Sequence, residues 1–440
     1  MNETLLSQAK AVLAANQNAH FTKPAPSLYP HQWNWDAGFI AIGYAHYDFD
    51  RAMQEMRYLF NAQWSNGLLP QIIFGNDPNA RYFPGPDFWW TERSPAAPKQ
   101  VKTSGITMPP VHGFVLKRMY EIAENKQVAL AFLKEMYPKV VALHRYLYTH
   151  RDPQQEGLVC IRHPWESGTD NSPLWDNALQ KMDLTKVELP AYERKDLQNP
   201  QAREHRPTDD DYDRYVYLVD LFRQRNYDDQ EINMSCPFQI QCPLFNSVLA
   251  WSNECLIEIG QLIGEDITEV REWYELTTYS MNEKLWDEER GMYDAYDVWN
   301  EEKITCHTSS GLMPLIAGIP SYEQSEVIEK TYLLSGFRGD GKTPVWLFPT
   351  YNLTERDVNY TKYWRGPIWM NMNWLLVQGL RRYNISNPAK QLRQHSLHLI
   401  EKYGFYEYFD PRQSVAENGY GTNQFSWSAA LTIDFLLEER

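Results

Sequence analysis

Apolar residues recur at intervals of three and four positions through most of this chain of 440 residues. That spacing gives a helix one apolar face, whereas a half-buried strand would need alternation. The clearest runs are 245–263, 368–380 and 429–437. Further runs predict helices at 3–17, 37–63, 110–124, 127–149, 209–225, 266–284, 308–318, 321–335 and 387–402. The sequence therefore predicts an all-α protein of about a dozen helices.

The length and the loops indicate how these helices are arranged. No Pro-, Gly- or Ser-rich linker divides the chain, so we expect residues 1–440 to form a single domain. About twelve helices suit a closed ring of six helical hairpins, the (α/α)6 barrel, with roughly seventy residues for each hairpin. The surplus predicts long loops at about 64–109 and 183–208, placed over the mouth of the barrel. Short strands are predicted at 157–161 and 291–298.

The charge and the cysteines exclude several classes of protein. The formal net charge of −15 would repel the phosphates of a nucleic acid. No run of ~18 apolar residues could span a membrane, and the N-terminal segment lacks the apolar core of a signal peptide. The five cysteines include no CxxC pair and no Cys/His cluster. We therefore expect a reduced, cytoplasmic protein with no metal, cofactor, nucleic-acid or membrane partner, and homo-oligomer formation is left open.

Aromatic residues are unusually frequent and point to a class of ligand. They make up 14% of the chain, with 16 Trp and 28 Tyr. Flat rings stack on the apolar faces of sugars, so the excess favours a small carbohydrate substrate. Large helical proteins also use Trp and Tyr to join helix ends, and we expect both uses here.

Two short segments, far apart in the chain, each set a carboxylate among aromatic residues. They are Trp165-Glu-Ser-Gly-Thr-Asp170-Asn-Ser-Pro and Phe405-Tyr-Glu407-Tyr-Phe-Asp-Pro. Cleavage of a glycosidic bond needs one carboxyl group that stays protonated and a second that is ionised. Burial among rings raises a carboxyl pKa and keeps the acid protonated at neutral pH. The residues alone also allow a second interpretation, in which Asp170 caps a helix and Glu407 is a surface charge.

Two more aromatic segments lie at the starts of predicted helices. Tyr29-Pro-His-Gln-Trp33-Asn-Trp35-Asp36 sets a carboxylate beside stacking rings, which is a common way to orient a pyranose. Tyr363-Trp364-Arg365-Gly-Pro-Ile-Trp369 supplies further rings. For Asp36 the alternative is a helix cap, and for any single ring it is core packing.

Together these segments resemble glycoside hydrolase family 63, and within it the compact bacterial enzymes that hydrolyse mannosylglycerate and glucosylglycerate. The resemblance runs from about Tyr29 to Trp427, with the motifs in the same order and at similar spacing. Its most specific parts are the Glu-Ser-Gly-Thr-Asp170-Asn-Ser-Pro run and the Glu407 run with the later Phe-Ser-Trp427. The resemblance implies an (α/α)6-barrel enzyme that is an inverting α-glycosidase.

The resemblance also implies roles for individual residues. Asp170 matches the general acid of the family and Glu407 its general base, and an inverting mechanism separates such carboxyl groups by roughly 6.5–9.5 Å. Arg214 matches the arginine that holds the glycerate carboxylate, although an ordinary ion pair on a helix surface is its alternative. The residues expected to bind substrate are Tyr29, Trp33, Trp35, Asp36, Tyr82, Gly168, Arg214, Tyr363, Trp364 and Trp369.

One position departs from the family pattern. Where the family has a glutamine that contacts substrate, this chain reads Thr103-Ser-Gly-Ile-Thr-Met108-Pro-Pro. A thioether fills space but does not recognise a hydroxyl, and the lost hydrogen bond costs about 1–3 kcal/mol. Glucosylglycerate or mannosylglycerate is the expected substrate, and a neutral α-disaccharide or another glucoside is the alternative.

Two functions of other kinds are alternatives. A sugar 2-epimerase with this fold would use histidine pairs, yet only His31 and His163 lie in or beside the aromatic segments. A sugar-binding protein without catalytic activity would have no chemical need for both carboxylates, which stand here in their full motifs. The sequence therefore favours the hydrolase.

Overall fold

The computed structural model describes residues 2–26, 28–77, 80–197, 202–338, 346–412, 415 and 418–438. Within these residues the α-helices are α1 (Glu3–Asn16), α2 (Asn34–Ala45), α3 (Phe49–Phe60), α4 (Pro86–Trp89), α5 (His112–Ile122), α6 (Lys126–His150), α7 (Asp176–Gln180), α8 (Ala202–His205), α9 (Asp209–Gln224), α10 (Asp229–Ser235), α11 (Pro243–Ile263), α12 (Thr268–Ser280), α13 (Tyr322–Ile328), α14 (Met370–Arg382), α15 (Ser386–Tyr403) and α16 (Ser426–Leu437). Short 3-10 helices occupy Thr91–Arg93, Pro164–Ser167, Pro173–Trp175 and Ser309–Ala317, and π-helical turns follow α12 and α13 at Met281–Leu285 and Glu329–Leu333.

The inner elements pack in a closed ring. In chain order the ring consists of α2, α5, α11, the 3-10 helix Ser309–Ala317, α14 and α16, and α16 packs back against α2. Around it, α1, α3, α6, α12 and α15 pack on the outside of the ring. All residues of α2 are buried, whereas α3 exposes one face to solvent, as expected for inner and outer layers. The predicted (α/α)6 barrel is confirmed.

Two predicted helices differ from the structure, and the differences leave the number of barrel helices unchanged. One predicted helix is two helices of the barrel, and another lies outside the ring. The predicted helix 37–63 is in fact the inner α2 and the outer α3, and Asp48 begins α3 by accepting a hydrogen bond from the Arg51 amide at 3.0 Å. The predicted helix 209–225 is α9, which lies outside the ring in the connection from α6 to α11. The inner segment at 308–318 is a 3-10 helix that contains Pro314, a residue that lacks the N–H needed for an α-helical bond.

The strands are short and mostly border the connections. Among the described residues they are β1 (Gln32–Trp33), β2 (Ile72–Ile73), β3 (Cys160–Ile161), β4 (Ile240–Gln241), β5 (Trp286–Asp287), β6 (Met292–Tyr293), β7 (Ala295–Asp297) and β8 (Glu302–Ile304). β3, β4, β7 and β8 form one antiparallel sheet, in which Cys160 pairs with Gln241 and Gln241 with Tyr296. Both predicted strand regions therefore contain strands, although each is shorter than predicted.

The two predicted insertions meet each other beside the start of the inner helices. Phe83, from the first insertion, stacks on Tyr192 of the second with ring centroids 5.4 Å apart. Tyr192 stacks in turn on Tyr212 of α9 at 5.7 Å, and Phe83 and Tyr212 are 6.3 Å apart, so the three rings form one cluster. Aromatic packing thus holds both loops over the mouth of the barrel. No helix among the described residues is long and apolar enough to cross a bilayer, and the single-domain assignment stays a prediction.

Candidate active site

A cavity of about 490 Å³, counting space open to solvent, lies where the inner helices begin. Trp33 and Asp36 reach it from the start of α2, and Trp369 and Trp427 from the starts of α14 and α16. Trp35 also lines it from α2, and the other lining residues come from the connections: Pro24, Tyr29, Gln71, Tyr82, Met108, Trp165, Gly168, Asp170, Tyr363, Trp364, Glu407 and Phe425. We call this the first cavity. Every predicted site residue except Arg214 lines it.

The segment that carries Asp170 is built from its own motif. Glu166 is fully buried and accepts hydrogen bonds from the amides of Arg162 and Thr107, at 2.6 and 3.2 Å, and from the Arg151 guanidinium at 2.9 Å. The next residues turn sharply at Gly168, whose φ is +72° and whose missing side chain leaves room for the Trp35 ring. Glu166 is therefore structural, and its bonds fix the backbone that presents Asp170.

Asp170 stands at the edge of the first cavity in a setting suited to a proton donor. Its carbonyl oxygen accepts a hydrogen bond from the Tyr215 hydroxyl at 2.9 Å, which holds the residue in place. Burial raises the pKa of Asp170 to about 7, with a further rise from the nearby Glu407, while Arg206 and a hydrogen bond from Tyr363 lower it. A carboxyl group with this pKa is partly protonated at neutral pH.

Glu407 lines the same cavity and is surrounded by donors. The Tyr29 hydroxyl donates to one carboxylate oxygen at 2.6 Å, and the Thr422 amide and the Arg206 guanidinium donate to the other at 3.1 and 3.4 Å. Gly421 faces that oxygen with a φ of +72°, and a β-carbon there would lie only 2.1 Å from it. Burial raises the pKa of Glu407, and Arg206, Tyr29 and Thr422 oppose the rise by stabilising the ionised form.

Asp36 lies in the first turn of α2 and is almost fully buried. Burial raises its pKa well above the usual value, and the charges of Glu407 and Asp170 raise it further. No hydrogen bond from another side chain to this carboxylate is found among the described residues. A buried carboxyl group in that state is ready to bond ligand hydroxyls.

The aromatic wall is rigid because its rings pack on one another. Trp364 and Trp369 stack with centroids 3.7 Å apart, and Tyr408 stacks on Trp369 at 4.9 Å. The Trp369 indole donates to the Tyr363 carbonyl at 3.0 Å. The amide of Trp364 donates to the Asn171 side chain at 3.0 Å, which ties this wall to the Asp170 segment.

Sequence reasoning predicted Trp364 but missed two other residues that bring polar groups to the first cavity, Gln71 and Trp427. The side-chain oxygen of Gln71 and the indole N–H groups of Trp364 and Trp427 are buried and have no hydrogen-bond partner among the described residues. Groups of this kind usually have a partner, and here a ligand hydroxyl can supply it. The backbone amide of Gln71 donates to the Ile106 carbonyl at 2.7 Å. This bond holds Gln71 beside the segment that carries Met108. Met108 itself is buried in the cavity wall.

A second cavity of about 530 Å³, again counting open space, adjoins the first. Asp170 and four of the aromatic residues line both cavities, so the proposed acid stands at the boundary. The remaining walls carry three cations, which are Arg81, Lys195 and Arg206. The full lining is Leu28, Tyr29, Arg81, Tyr82, Phe83, Trp165, Asp170, Lys195, Asp196, Arg206, Pro207, Tyr212 and Tyr363.

The buried arginine that lines the second cavity is Arg206 rather than the predicted Arg214. Arg214 lines neither cavity, because its guanidinium bonds to the carbonyls of Leu179 and Asp210, at 2.6 and 3.0 Å, and pairs with the Asp210 carboxylate. Arg206 is buried, donates to the Tyr29 hydroxyl at 3.1 Å and lies over the Tyr363 ring at 4.3 Å. It is the buried cation of the second cavity.

The two histidines of the aromatic segments are structural. His163 accepts a hydrogen bond from the Trp165 amide at 3.0 Å, and burial lowers its pKa to about 3. His31 accepts from the Gly75 amide at 3.1 Å, and burial lowers its pKa to about 4. Neither lines the first or the second cavity. The described residues contain no group of His, Cys, Asp and Glu placed to hold a metal ion.

Comparisons with known proteins cover nearly the whole chain. The profile of the mannosylglycerate hydrolase MGH1-like glycoside hydrolase domain matches residues 29–428. A mannosylglycerate hydrolase of Rubrobacter radiotolerans is 41% identical over 436 residues, which are 99% of this chain and 97% of that protein. A glucosylglycerate hydrolase of Mycolicibacterium hassiacum is 34% identical over 443 residues, 98% of this chain and 97% of that protein. The GH63 mannosylglycerate hydrolase of Thermus thermophilus, crystallised with Tris and D-glycerate, gives a TM-score of 0.89 at 40% identity and covers 98% of this chain and 99% of its own.

Proposed function

Since the chain belongs to the mannosylglycerate hydrolase MGH1-like glycoside hydrolase family, we propose that it hydrolyses the α-mannosyl or α-glucosyl conjugate of glycerate with inversion, using Asp170 as general acid and Glu407 as general base. One observation carries this proposal. Two carboxyl groups face a single cavity from different segments, and only one of them is paired with a cation, Arg206. Different surroundings are what separate an acid from a base in such a pair.

Asp170 acts on the leaving group. It stands between the two cavities, so a sugar in the first and an aglycone in the second would place the glycosidic oxygen beside it. With a pKa of about 7, its carboxyl group is partly protonated at neutral pH and can pass its proton to that oxygen as the bond to the anomeric carbon breaks. The aglycone then leaves as a neutral alcohol.

Glu407 acts on water. Arg206 and Tyr29 favour its ionised form, so it can accept a proton from a water molecule on the opposite face of the sugar. The water oxygen forms the new bond to the anomeric carbon, and one proton moves to Glu407. Attack from the face opposite the leaving group inverts the anomeric configuration.

The first cavity provides the groups that would hold the sugar ring. Asp36 is buried without a side-chain donor, and Gln71 and the indoles of Trp364 and Trp427 have free hydrogen-bonding capacity among the described residues. Trp33 and Trp35 add apolar surface for the ring faces. Ligand hydroxyls can satisfy these buried groups, which favours a hexopyranose over an apolar ligand.

Arg206 is the residue that would hold the aglycone carboxylate. It is the most buried cation of the second cavity, and its guanidinium lies 3.4 Å from a carboxylate oxygen of Glu407. A planar guanidinium can pair with a carboxylate through two parallel hydrogen bonds. The acidic aglycone named in the relatives, glycerate, carries the negative charge that a buried guanidinium attracts.

Met108 favours a second candidate substrate, a neutral α-disaccharide or other α-glucoside. Its thioether occupies the wall of the first cavity without offering a donor. We also place the protein in the cytoplasm, because all five cysteines are unpaired and four of them are buried.

The test is a release assay on a panel of substrates. The panel contains mannosylglycerate, glucosylglycerate, trehalose, kojibiose and α-glucosyl fluoride, and proton NMR records the anomer of the sugar first released. We expect release from a glycerate conjugate as the β-anomer. Release of the α-anomer would contradict inversion, and release only from the neutral substrates would contradict the acidic aglycone.

Matched variants tie the activity to this site. Glu407→Gln removes the proposed base, and we expect it to lose nearly all turnover. Glu326→Gln makes the same chemical change on the exposed face of α13, where Glu326 pairs with Lys330, and we expect normal turnover. Equal rates in the two variants would contradict the proposal.

A further inference from the structure

The second cavity is similar in size to the first. Their volumes, about 530 and about 490 Å³, both include space open to solvent, and the first has to hold a hexosyl group. Glycerate has fewer heavy atoms than a hexosyl group, so a longer aglycone can extend through the second cavity toward the solvent. A preformed pocket usually binds best a ligand that fills most of it.

The spare space has aromatic walls. Tyr82, Phe83, Trp165 and Tyr212 all line the second cavity, and of these only Tyr82 and Trp165 also reach the first. Phe83 and Tyr212 therefore mark the part of the second cavity that lies away from the sugar. A substituent of the aglycone that points away from the sugar would meet these two rings.

These walls are held in place without a ligand. The Phe83 ring stacks on Tyr192 at 5.4 Å, and Tyr192 stacks on Tyr212 at 5.7 Å. The Tyr212 hydroxyl donates to the Phe83 carbonyl at 3.3 Å, and the Arg194 guanidinium lies over the Tyr212 ring at 4.4 Å. Phe83 and Tyr212 also contact each other, with ring centroids 6.3 Å apart, and a fixed aromatic wall of this kind loses little entropy when another ring packs on it.

The same cavity also holds the cations. Arg206 is buried beside Asp170, whereas Arg81 is exposed at the rim and Lys195 pairs with the exposed Glu193. The cavity thus combines one buried guanidinium near the cleaved bond with a ring-lined space farther out. That combination matches a 2-hydroxy acid whose third carbon carries a ring.

We propose that the second cavity accepts 2-hydroxy acids with an aromatic side chain, so that the protein also hydrolyses their 2-O-α-glycosides, such as that of D-3-phenyllactate. This inference rests on the proposed function, because it uses the same acid, base and water. The bond between the anomeric carbon and the hydroxy-acid oxygen breaks, water supplies the new oxygen on the sugar, and the hydroxy acid leaves with the proton from Asp170.

The experiment compares three conjugates of one sugar that differ only at the third carbon of the acid. They are the D-glycerate, D-lactate and D-3-phenyllactate conjugates, and both mannosyl and glucosyl series are made. We expect kcat/KM for the phenyllactate conjugate to exceed that for the lactate conjugate by roughly tenfold, since packing of one ring against others gives about this gain. A value equal to or below that of the lactate conjugate would overturn the inference.

Two matched variants locate the effect. Phe83→Leu removes the ring from the wall, and we expect kcat/KM for the phenyllactate conjugate to fall to the value for the lactate conjugate in the same variant. Phe88→Leu makes the same change in a ring that packs on Phe83 at 4.8 Å but does not line the cavity, and we expect it to keep the preference. A preference that persists in Phe83→Leu and disappears in Phe88→Leu would overturn the assignment.

A binding measurement separates this inference from the proposed function. Calorimetric titration of the wild-type protein with free D-3-phenyllactate and D-lactate needs no turnover, and we expect roughly tenfold tighter binding of phenyllactate. Cleavage of the glycerate conjugate without this preference would overturn the inference alone. The preference without cleavage of any glycoside would overturn the proposed function alone.

Discussion

The two ends of the barrel bury carboxyl groups in opposite ways. At the end where the inner helices finish, Asp434 accepts hydrogen bonds from His46 at 2.8 Å, from Arg118 at 2.9 Å and from the Trp374 indole at 2.9 Å. At the end where they begin, Asp36 is buried with no side-chain donor among the described residues. The pKa of Asp434 is lowered despite its burial, because His46, Arg118 and Trp374 stabilise the charge, whereas burial raises that of Asp36.

The difference shows that burial alone does not decide whether the pKa of a carboxyl group rises or falls, because the hydrogen-bond donors around it also matter. A carboxylate whose donors come from the protein joins helices together, and Asp434 links α2, α5, α14 and α16 in this way. A carboxyl group left short of donors costs stability, and such groups accumulate at functional sites. Asp36, Asp170 and Glu407 all face the first cavity, with Arg206 as the cation close to them.

The largest effect we expect comes from removing the carboxyl group of Asp170, at the end where the inner helices begin. Asp170→Asn should lower kcat by about 10²–10⁴-fold, because proton donation to the leaving group is lost. The melting temperature should not fall, since the variant removes a carboxyl group whose charged form is destabilised by burial. Steady-state kinetics and thermal unfolding check the two halves. A kcat near that of the wild type would contradict the role of Asp170.

At the end where the inner helices finish, we expect a large loss of stability and little loss of activity. Asp434→Asn leaves Arg118 without its buried partner, and breaking such a pair costs about 3–5 kcal/mol of the free energy of unfolding. The kcat of the protein that still folds should stay close to wild type, because Asp434 lies at the other end of the inner helices. Denaturant unfolding together with active-site-normalised kinetics measures both. A large loss of kcat without loss of stability would break the comparison.

Arg206 has both a structural and a functional role. It bonds to Tyr29 and Glu407 within the protein, and it is also the proposed partner of the aglycone carboxylate. Arg206→Gln should lower kcat/KM for an acidic substrate by roughly 10–100-fold, through loss of a hydrogen bond to a charged group. The pH profile should also move. Activity falls at low pH as Glu407 is protonated and at high pH as Asp170 loses its proton, and Arg206 lowers the pKa of both.

Both limbs of the kcat/KM profile should therefore shift to higher pH in Arg206→Gln. Arg206→Lys retains the positive charge and should shift them less. If the substrate affinity falls but the limbs stay where they are in wild type, Arg206 binds the aglycone without acting on the two carboxyl groups. A neutral substrate such as α-glucosyl fluoride allows the profile to be measured without the carboxylate contact.

Much of the site could be predicted from the sequence because its residues lie in short continuous motifs. Trp33, Trp35 and Asp36 lie together at the start of α2, and Asp170 follows a 3-10 turn that Glu166 organises. The spacing of residues within one short motif is enough to predict that they lie close together beside the cavity. The barrel was predictable for a similar reason, since helical periodicity is a local property of the sequence.

Residues placed by long-range packing could not be predicted. Arg206 and Arg214 lie in the same charged stretch, and the sequence offers no reason to choose between them. The Thr208 side chain begins α9 by capping the Asp211 amide at 3.1 Å, so Arg206 lies before the helix and can turn into the cavity. Arg214 lies within the helix, where its guanidinium meets the Leu179 carbonyl.

The smallest expected effect is on the pH dependence of stability at the two ends. The folded pKa of Asp170, about 7, lies above its ordinary value of 3.8, so its contribution to stability is full below about pH 4 and is lost as the pH rises through 7. Asp434 has a lowered pKa, so its contribution is present above its unfolded value and is lost only in acid.

Asp170→Asn cannot titrate, so its melting temperature should gain on that of the wild type as the pH rises from 4 to 8, by about 4 °C in total. Thermal scans at pH 4, 6 and 8 measure the difference. Asp266→Asn is the matched control, because Asp266 is an exposed cap whose pKa is lowered by Thr268, and its difference from wild type should stay constant over this range. A constant difference for Asp170→Asn as well would mean that the carboxyl group is ionised at no cost, and the contrast between the two ends of the barrel would then rest on Asp36 and Glu407.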